Sequence, residues 1–300
     1  MIRENFDCVF AIKAPSEELQ KIILESCDKI ISLEEGSNED EFVRLVSADC
    51  IVVLDGYGFK TDLQTAIKDK GCKLICIDDL HAWHFVADVI VNQDGNNNIN
   101  YSKEPYTSVF TGLDYAMLRK PFLNAAKKER DLRKIENIII NFGGADSNNL
   151  TSKVLEACLK IEHQIKIHIV TGAAYSYLNT LDKYRGQQNI LFYSQLNADQ
   201  MCNLMQNGEL IICPASSVCI EALSMGLNII TGYYADNQKE FANFLDERHY
   251  AKSVGNFLEI PTSQLEELID RTIRYESMHS PAKIIDGNQA VRFVNLFKSL

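Results

Sequence analysis

The chain has 300 residues, 46% of them hydrophobic and 24% charged, with 15 Gly and 6 Pro, a balance that excludes disordered, collagenous and low-complexity classes. At this length one hydrophobic core usually stops growing, so two domains of roughly 120–180 residues are expected. Thirty Lys and Arg against 41 Asp and Glu give a formal charge of −11, which repels nucleic-acid phosphates and anionic membrane surfaces alike.

No apolar run approaches the roughly 20 residues that span a bilayer. Arg3, Glu4 and Asp7 stand where a signal peptide needs an apolar stretch, so a cytoplasmic location is expected. The nine cysteines lie mostly in apolar segments and include no Cys-x-x-Cys pair, and they read as buried reduced thiols.

Short, nearly all-apolar runs alternate with stretches of helical period, the pattern of an α/β chain whose parallel strands are buried on both faces. Strands are expected at Asp7–Ile12, Lys29–Ser32, Cys50–Leu54, Lys73–Ile77, Val89–Asn92 and Ser108–Thr111, with helices at 16–26, 39–46 and 61–70. The segment LRKPFLNAAKKERDLRK, Leu118–Lys134, is charged, holds a proline and lacks a strand-like run. Further strands follow at Asn137–Phe142, Lys166–Val170, Ile190–Phe192, Leu210–Cys213, Asn228–Thr231 and Ala251–Val254, with helices at 150–162, 175–184, 198–207, 217–225, 238–247, 262–276 and 287–299. The chain therefore divides into a Rossmann-like domain (1–118), a linker (119–134), a second, nucleotide-binding Rossmann-like domain (135–286) and a C-terminal helix (287–300). Two doubly wound domains of this kind are expected to face each other across a cleft at the carboxyl ends of their strands.

Candidate chemistry gathers at strand ends. In IIINFGGADSNNLT a strand runs into Gly143-Gly144 and a polar turn before a helix. Two glycines admit a phosphate to the backbone, and the helix start offers N–H groups, with Ser147 and Asn149 as caps and Thr151 as a further donor. A tight turn alone would need the same glycines. In LIICPASSVCIEAL, Ser216 or Ser217 would cap the next helix. Glu221, four residues beyond Ser217, does not complete a capping box and is suited to two vicinal ribose hydroxyls, or equally to a plain helix-start position. Asp236, Asn237 and Gln238 mark a third helix start, as ligand groups or simple caps. In the first half, Asp55, Tyr57 and Gly58 end one strand, and Asp78 and Asp79 another. The two neighbouring acids point opposite ways and make a poor metal site. His81 and His84 read as loop residues or ligand contacts, and His163, His168, His249 and His279 as structural or surface groups. No Gly-x-Ser-x-Gly, P-loop or Gly-x-Gly-x-x-Gly motif occurs.

The series VVLDGYG, CIDDL, FTGLDYAMLRKPF, NFGGADSNNLT, SSVCIEALSMGLNII, ADNQ and IIDGNQAVRF resembles, in order and spacing, the UDP-sugar hydrolases of pseudaminic-acid biosynthesis. These are GT-B-fold relatives of the UDP-GlcNAc transferase that makes lipid II. The resemblance runs from about Asp7 to Phe297. It implies an enzyme that adds water at C1 of a UDP-linked 2,4-diacetamido-trideoxyhexose and releases UDP with no metal or other cofactor. It also implies that the second domain holds most of the nucleotide, which makes Gly143, Gly144, Asp146, Asn149, Thr151, Ser216, Ser217, Glu221, Asn237 and Gln238 the substrate-binding candidates. Tyr57 and Asp55 are the catalytic candidates near the sugar.

Three departures stand out. Gly56 replaces a family His, Pro214-Ala215-Ser216-Ser217 replaces a glycine-richer turn, and the Gly-x-Gly-His-x-x-Arg loop that carries the family's catalytic His is absent. MIRENFDCVFAI matches the end of the family's first helix and its second strand. The expectation is thus a first domain lacking its first strand, roughly 25–30 residues with the helix that follows it, and a base outside these residues. A GT-B glycosyltransferase and a non-catalytic binder or inactive truncated product stay open as alternatives.

Overall fold

A computed structural model describes residues 2–36, 39–94, 100–130, 134–275 and 284–300. His279 and residues 131–133 of the expected linker lie outside the described residues. The chain runs through β1 (Val9–Lys13), α1 (Glu17–Leu24), β2 (Lys29–Leu33), α2 (Glu39–Val43), β3 (Ile51–Asp55), α3 (Thr61–Asp69), β4 (Lys73–Ile77), β5 (Val89–Asn92) and β6 (Ser108–Thr111). Then come α4 (Lys120–Ala125), β7 (Asn137–Asn141), α5 (Leu150–Cys158), β8 (Lys166–Thr171), α6 (Leu178–Leu181), β9 (Ile190–Ser194), α7 (Ala198–Asn207) and β10 (Leu210–Ile212). The last elements are α8 (Ser217–Met225), β11 (Asn228–Tyr233), α9 (Lys239–Glu247), β12 (Lys252–Asn256), α10 (Thr262–Tyr275) and α11 (Gln289–Lys298). Among the described residues no helix is long and apolar enough to cross a membrane.

Two compact units result, one holding β1–β6 and α11, the other α4–α10 with β7–β12. In the second unit all six strands are parallel, in the order β12-β11-β10-β7-β8-β9. The first of them, β7, therefore lies inside the sheet, with β8 on one side and β10 on the other. Ile138, Ile140, Ile167, Ile169 and Ile212 pack with Leu150, Val154 and Leu155 of α5 and Leu265, Ile269 and Ile273 of α10. Helix α7 starts on a capping box, Asn197 Oδ1 accepting from Gln200 N–H at 2.9 Å and Gln200 Oε1 from Asn197 N–H at 3.0 Å.

In the first unit the strands are also parallel but fall into two sheets, β1-β2 and β3-β4-β5-β6. One face of the larger sheet, with Val52, Leu54, Leu74 and Ile90, packs on Leu63 and Ile67 of α3. The other, with Ile75, Val89 and Val91, packs on Phe293, Leu296 and Phe297 of α11, so the C-terminal helix joins this unit. Exposure marks the sheet boundary: Val9 and Phe10 of β1 are 54% and 46% exposed, and Val53 of β3 is 42% exposed beside Val52 at 6%.

The expected elements differ from the observed ones in a few places. Strand β1 begins at Val9, because Cys8 N–H is taken by the Asp28 carboxylate at 2.8 Å. The helix expected over 175–184 is one short α-helical segment followed by a single 3-10 turn, Asp182–Tyr184. Within the expected linker, α4 forms with Pro121 in its first turn, where a missing N–H costs nothing.

Candidate active site

The chain reverses its direction of travel across the second sheet between β9 and β10, which makes the carboxyl edge between β7 and β10 the topological switch point. Loops leaving such neighbours in opposite directions open a crevice, the usual ligand position in α/β sheets. The Gly143-Gly144 turn and the Pro214–Ser217 turn both lie there.

After β7, Asn141 Oδ1 accepts the Gly143 N–H at 2.8 Å, and Gly143 takes φ +81°, which L side chains rarely adopt. A Cβ at Gly143 or Gly144 would meet nothing within 4 Å, so the space above the turn is open. At the end of β8, a Cβ on Gly172 would stand 2.4 Å from the Gly144 backbone. Close packing of two turns requires that third glycine, which the sequence reading passed over.

The start of α5 corrects three expectations. Asp146, 5% exposed with φ +41°, accepts the N–H groups of Leu150 and Thr151, each at 2.8 Å. Asp146, in place of Ser147, therefore supplies the side-chain cap of α5 although Asn149 holds the N-cap position, and the N–H groups of Leu150 and Thr151 are already occupied. Loss of water pushes its carboxyl up, partly offset by hydrogen bonds from Thr151 and Leu150. Asn149 (φ +53°) accepts from Tyr175 Oη at 2.6 Å and donates to Thr180 Oγ1 at 3.3 Å, which ties down the 175–180 loop. Thr151 is 1% exposed and turned inward. These three side chains build the turn.

Helix α8 is different. Neither Ser216 nor Ser217 caps it through its side chain, contrary to expectation: Ser216 Oγ donates to the Pro214 carbonyl at 3.4 Å. The first backbone bonds are Cys219 N–H and Ile220 N–H to the Ser216 carbonyl, which leaves the N–H groups of exposed Ser217 and partly exposed Val218 without a partner among the described residues. The helix start is positive by its dipole. Of the two helix starts at the switch point, this one can receive an anion.

Glu221, four residues further on, is 5% exposed and not the free carboxylate expected. Arg119 grips it in a bidentate pair, Nε to Oε1 at 2.6 Å and Nη2 to Oε2 at 2.9 Å, with the guanidinium also over the Phe122 ring. Arg119 escaped the sequence reading, since its partner lies in a distant segment. At the end of β11, Asp236–Gln238 form one 3-10 turn containing Asn237, and Gln238 Oε1 accepts the Tyr234 N–H at 3.1 Å. Gln238 thus closes its own turn.

In the first unit, Asp55 ends β3. Partial loss of water, then the charge of Asp79, push its carboxyl up. Tyr57 is 60% exposed and its hydroxyl donates to Asp79 Oδ2 at 3.4 Å. Gly56 takes φ +148°, with the Phe59 ring 3.1 Å from a would-be Cβ, so this backbone disfavours the His of the family motif. Asp78 is also pushed up, chiefly by loss of water, and accepts the His81 N–H at 2.8 Å. His84 is tethered by Ser102 and Glu104, His163 by Asp270, and His168 by Asn137 and Tyr193. Among the described residues no three His, Cys, Asp or Glu side chains gather as a metal site.

Two Rossmann-like α/β units with parallel sheets are the GT-B fold. Solved structures bear this out. Acinetobacter baumannii MurG matches with a TM-score of 0.65 and 14% identity over 100% of this chain and 93% of its own. The S. aureus MnaA–UDP structure gives 0.60 and 11% over 97% and 95%. Anabaena HepE with UDP-glucose gives 0.58 and 9% over 97% and 92%. In sequence, the UDP-2,4-diacetamido-2,4,6-trideoxy-beta-L-altropyranose hydrolase of Campylobacter jejuni is 27% identical over 210 residues, 67% of this chain and 72% of the hydrolase, in keeping with the resemblance of the motifs. An uncharacterised protein of Methanocaldococcus jannaschii is 29% identical over 246 residues, 78% of this chain, which spans only 50% of that relative's length. No protein-family model matches. The chain has the GT-B fold and is similar in sequence to a UDP-sugar hydrolase.

Proposed function

We propose that this chain binds a UDP-sugar and hydrolyses it at the sugar C1–oxygen bond to release UDP and the free sugar, a diacetamido-trideoxyhexose as in the hydrolase relative. The observation that carries the reading is the pairing, at one switch point, of the open Gly143-Gly144 turn with the uncapped start of α8. A diphosphate would take the N–H groups of Ser217 and Val218, at the positive end of the helix. Asn237 completes the floor.

Water attacks C1, the C1–O bond breaks, and the diphosphate takes the electron pair, stabilised by the helix-start donors. In place of a base outside these residues, Asp55 and Tyr57 are the proposed groups for the proton of the attacking water. Loss of water and the Asp79 charge raise the Asp55 carboxyl above its ordinary value, which makes its carboxylate the stronger base.

Calorimetric titration with UDP tests the nucleotide site, and incubation of UDP-sugar in ¹⁸O-water tests the chemistry. Label in the released sugar and none in UDP is the expected result. Turnover that needs an added acceptor hydroxyl would make the chain a glycosyltransferase, and UDP binding without turnover a non-catalytic binder.

A further inference from the structure

A side-chain cluster at the carboxyl ends of β4 and β5 plays no part in the roles assigned so far. Asn92 is 2% exposed, and its Nδ2 donates to His81 Nε2 at 3.1 Å and to Tyr101 Oη at 3.0 Å. Tyr101 spends its own hydrogen on the Asp78 carbonyl at 3.3 Å, and its ring stands edge-on to His81 with centroids 4.7 Å apart. The His81 backbone N–H is held by Asp78 Oδ2 at 2.8 Å, and the residue sits at φ +54°, uncommon for a non-glycine residue.

These bonds fix the tautomer. Tyr101 accepts from Asn92 because its hydrogen is committed elsewhere, so the amide nitrogen faces His81 as a donor. Nε2 of the neutral ring must then be the acceptor, and the ring hydrogen lies on Nδ1. Nδ1 has no hydrogen-bond partner among the described residues. Among them only Gln289 Oε1 is a buried side-chain nitrogen or oxygen without one, so Nδ1 of the half-buried His81 is reached from outside. Three residues on, His84 has both ring nitrogens engaged, by Ser102 Oγ at 2.9 Å and Glu104 Oε1 at 3.1 Å. The contrast separates a tethering histidine from one whose free side is aimed outward and held still.

We infer that His81 is a ligand-binding residue: its Nδ1–H, locked by Asn92 and Tyr101, donates to a neutral oxygen of the sugar, a hydroxyl or an amide carbonyl. The choice of a sugar rests on the nucleotide-sugar reading above. A donor whose tautomer and backbone are set before binding loses little freedom on meeting its acceptor. The strained φ is the kind of feature that surroundings maintain at a working site.

Proton–nitrogen correlation NMR of the chain with ¹⁵N-labelled histidine tests this, the His81 signals being assigned by their loss in His81→Gln. Nδ1 should be protonated and Nε2 not. N-acetylglucosamine should shift the Nδ1 signal in a saturable way, and UDP should leave it in place. Asn92→Asp, which replaces the donor with an acceptor, should move the hydrogen to Nε2 and abolish the sugar response; if that variant does not fold, the wild-type spectra decide. An Nε2–H tautomer, or a His81 signal indifferent to N-acetylglucosamine, overturns the assignment. Failure of UDP to bind in calorimetry while the sugar still shifts His81 would count against the nucleotide reading and support this one.

Discussion

Arg119 and Glu221, 102 positions apart, are joined by two parallel hydrogen bonds of 2.6 and 2.9 Å, and the pair fastens the start of α4 to the middle of α8. Its carboxylate is nearly dry while the guanidinium is half exposed, with side-chain exposures of 7% and 48%. Removing the cation strands a buried charge. Arg119→Met should therefore cost about 2–3 kcal/mol in urea unfolding, below the figure for a wholly buried pair because water reaches Arg119. Arg119→Met with Glu221→Leu should recover most of that loss.

The same pair revises what Glu221 does for the nucleotide. Because both carboxylate oxygens hold Arg119, Glu221→Gln should loosen the neighbourhood of α8 and weaken UDP and pyrophosphate to a similar degree in calorimetry. A loss confined to UDP would show that ribose displaces Arg119 from the carboxylate.

Gly143 and Gly144 make a graded test of the open turn. Gly143→Val forces a β-branched residue to φ +81° and should destabilise the fold by about 1–2 kcal/mol, whatever its effect on ligand. Gly144 has neither a positive φ nor a neighbour within 4 Å of its would-be Cβ. Gly144→Val should melt close to wild type yet lose UDP affinity by about tenfold or more, since a phosphate must come near the backbone there. Undiminished UDP binding in that folded variant would remove the diphosphate from this turn.

Asp146 is expected to act on stability and not on the ligand. Asp146→Ala should cost about 1–2 kcal/mol through loss of the α5 cap, and Asp146→Asn less, since Asn keeps one acceptor and tolerates a positive φ. UDP affinity of the folded variants should stay near wild type, as measured in the same titration.

Asp55 gives the pH dependence. Its folded carboxyl is pushed above the unfolded value of about 3.9, so the folded chain binds that proton more tightly than the unfolded chain does. Wild-type stability therefore gains from this group as pH falls through the folded value toward about 3.9. Asp55→Asn should melt higher than wild type at pH 7, with the difference shrinking on acidification and gone below about pH 3.9. Turnover of UDP-sugar by Asp55→Asn should drop by about 10²–10⁴ if the carboxyl handles the proton.

The strands were legible because a strand buried on both faces writes itself as an unbroken apolar run: Ile138, Ile139 and Ile140 of β7 are all at most 1% exposed. Helices α7 and α8 were legible to the residue from their polar starts. What failed depended on distance or on unusual turns. Helix α4 hides in a charged stretch whose apolar members, Phe122 and Ala125, are buried by other helices. The α5 cap was misplaced because Asp146 reaches four and five residues ahead, beyond the usual cap spacing, across a turn with two positive φ values, at Asp146 and Asn149. No local pattern announces the Arg119–Glu221 pair or Gly172 against Gly144, both of which exist only once the strands are assembled.

Among the described residues, the division of the first unit's strands into two sheets gives that unit four lateral edges, along β1, β2, β3 and β6, where a continuous sheet would have two. Among the described residues these strands bond a neighbour on one side only, and Val9 and Phe10 of β1 are largely exposed. Amide hydrogens along these strands should be among the first to exchange with deuterated water, well before those of β7 and β10.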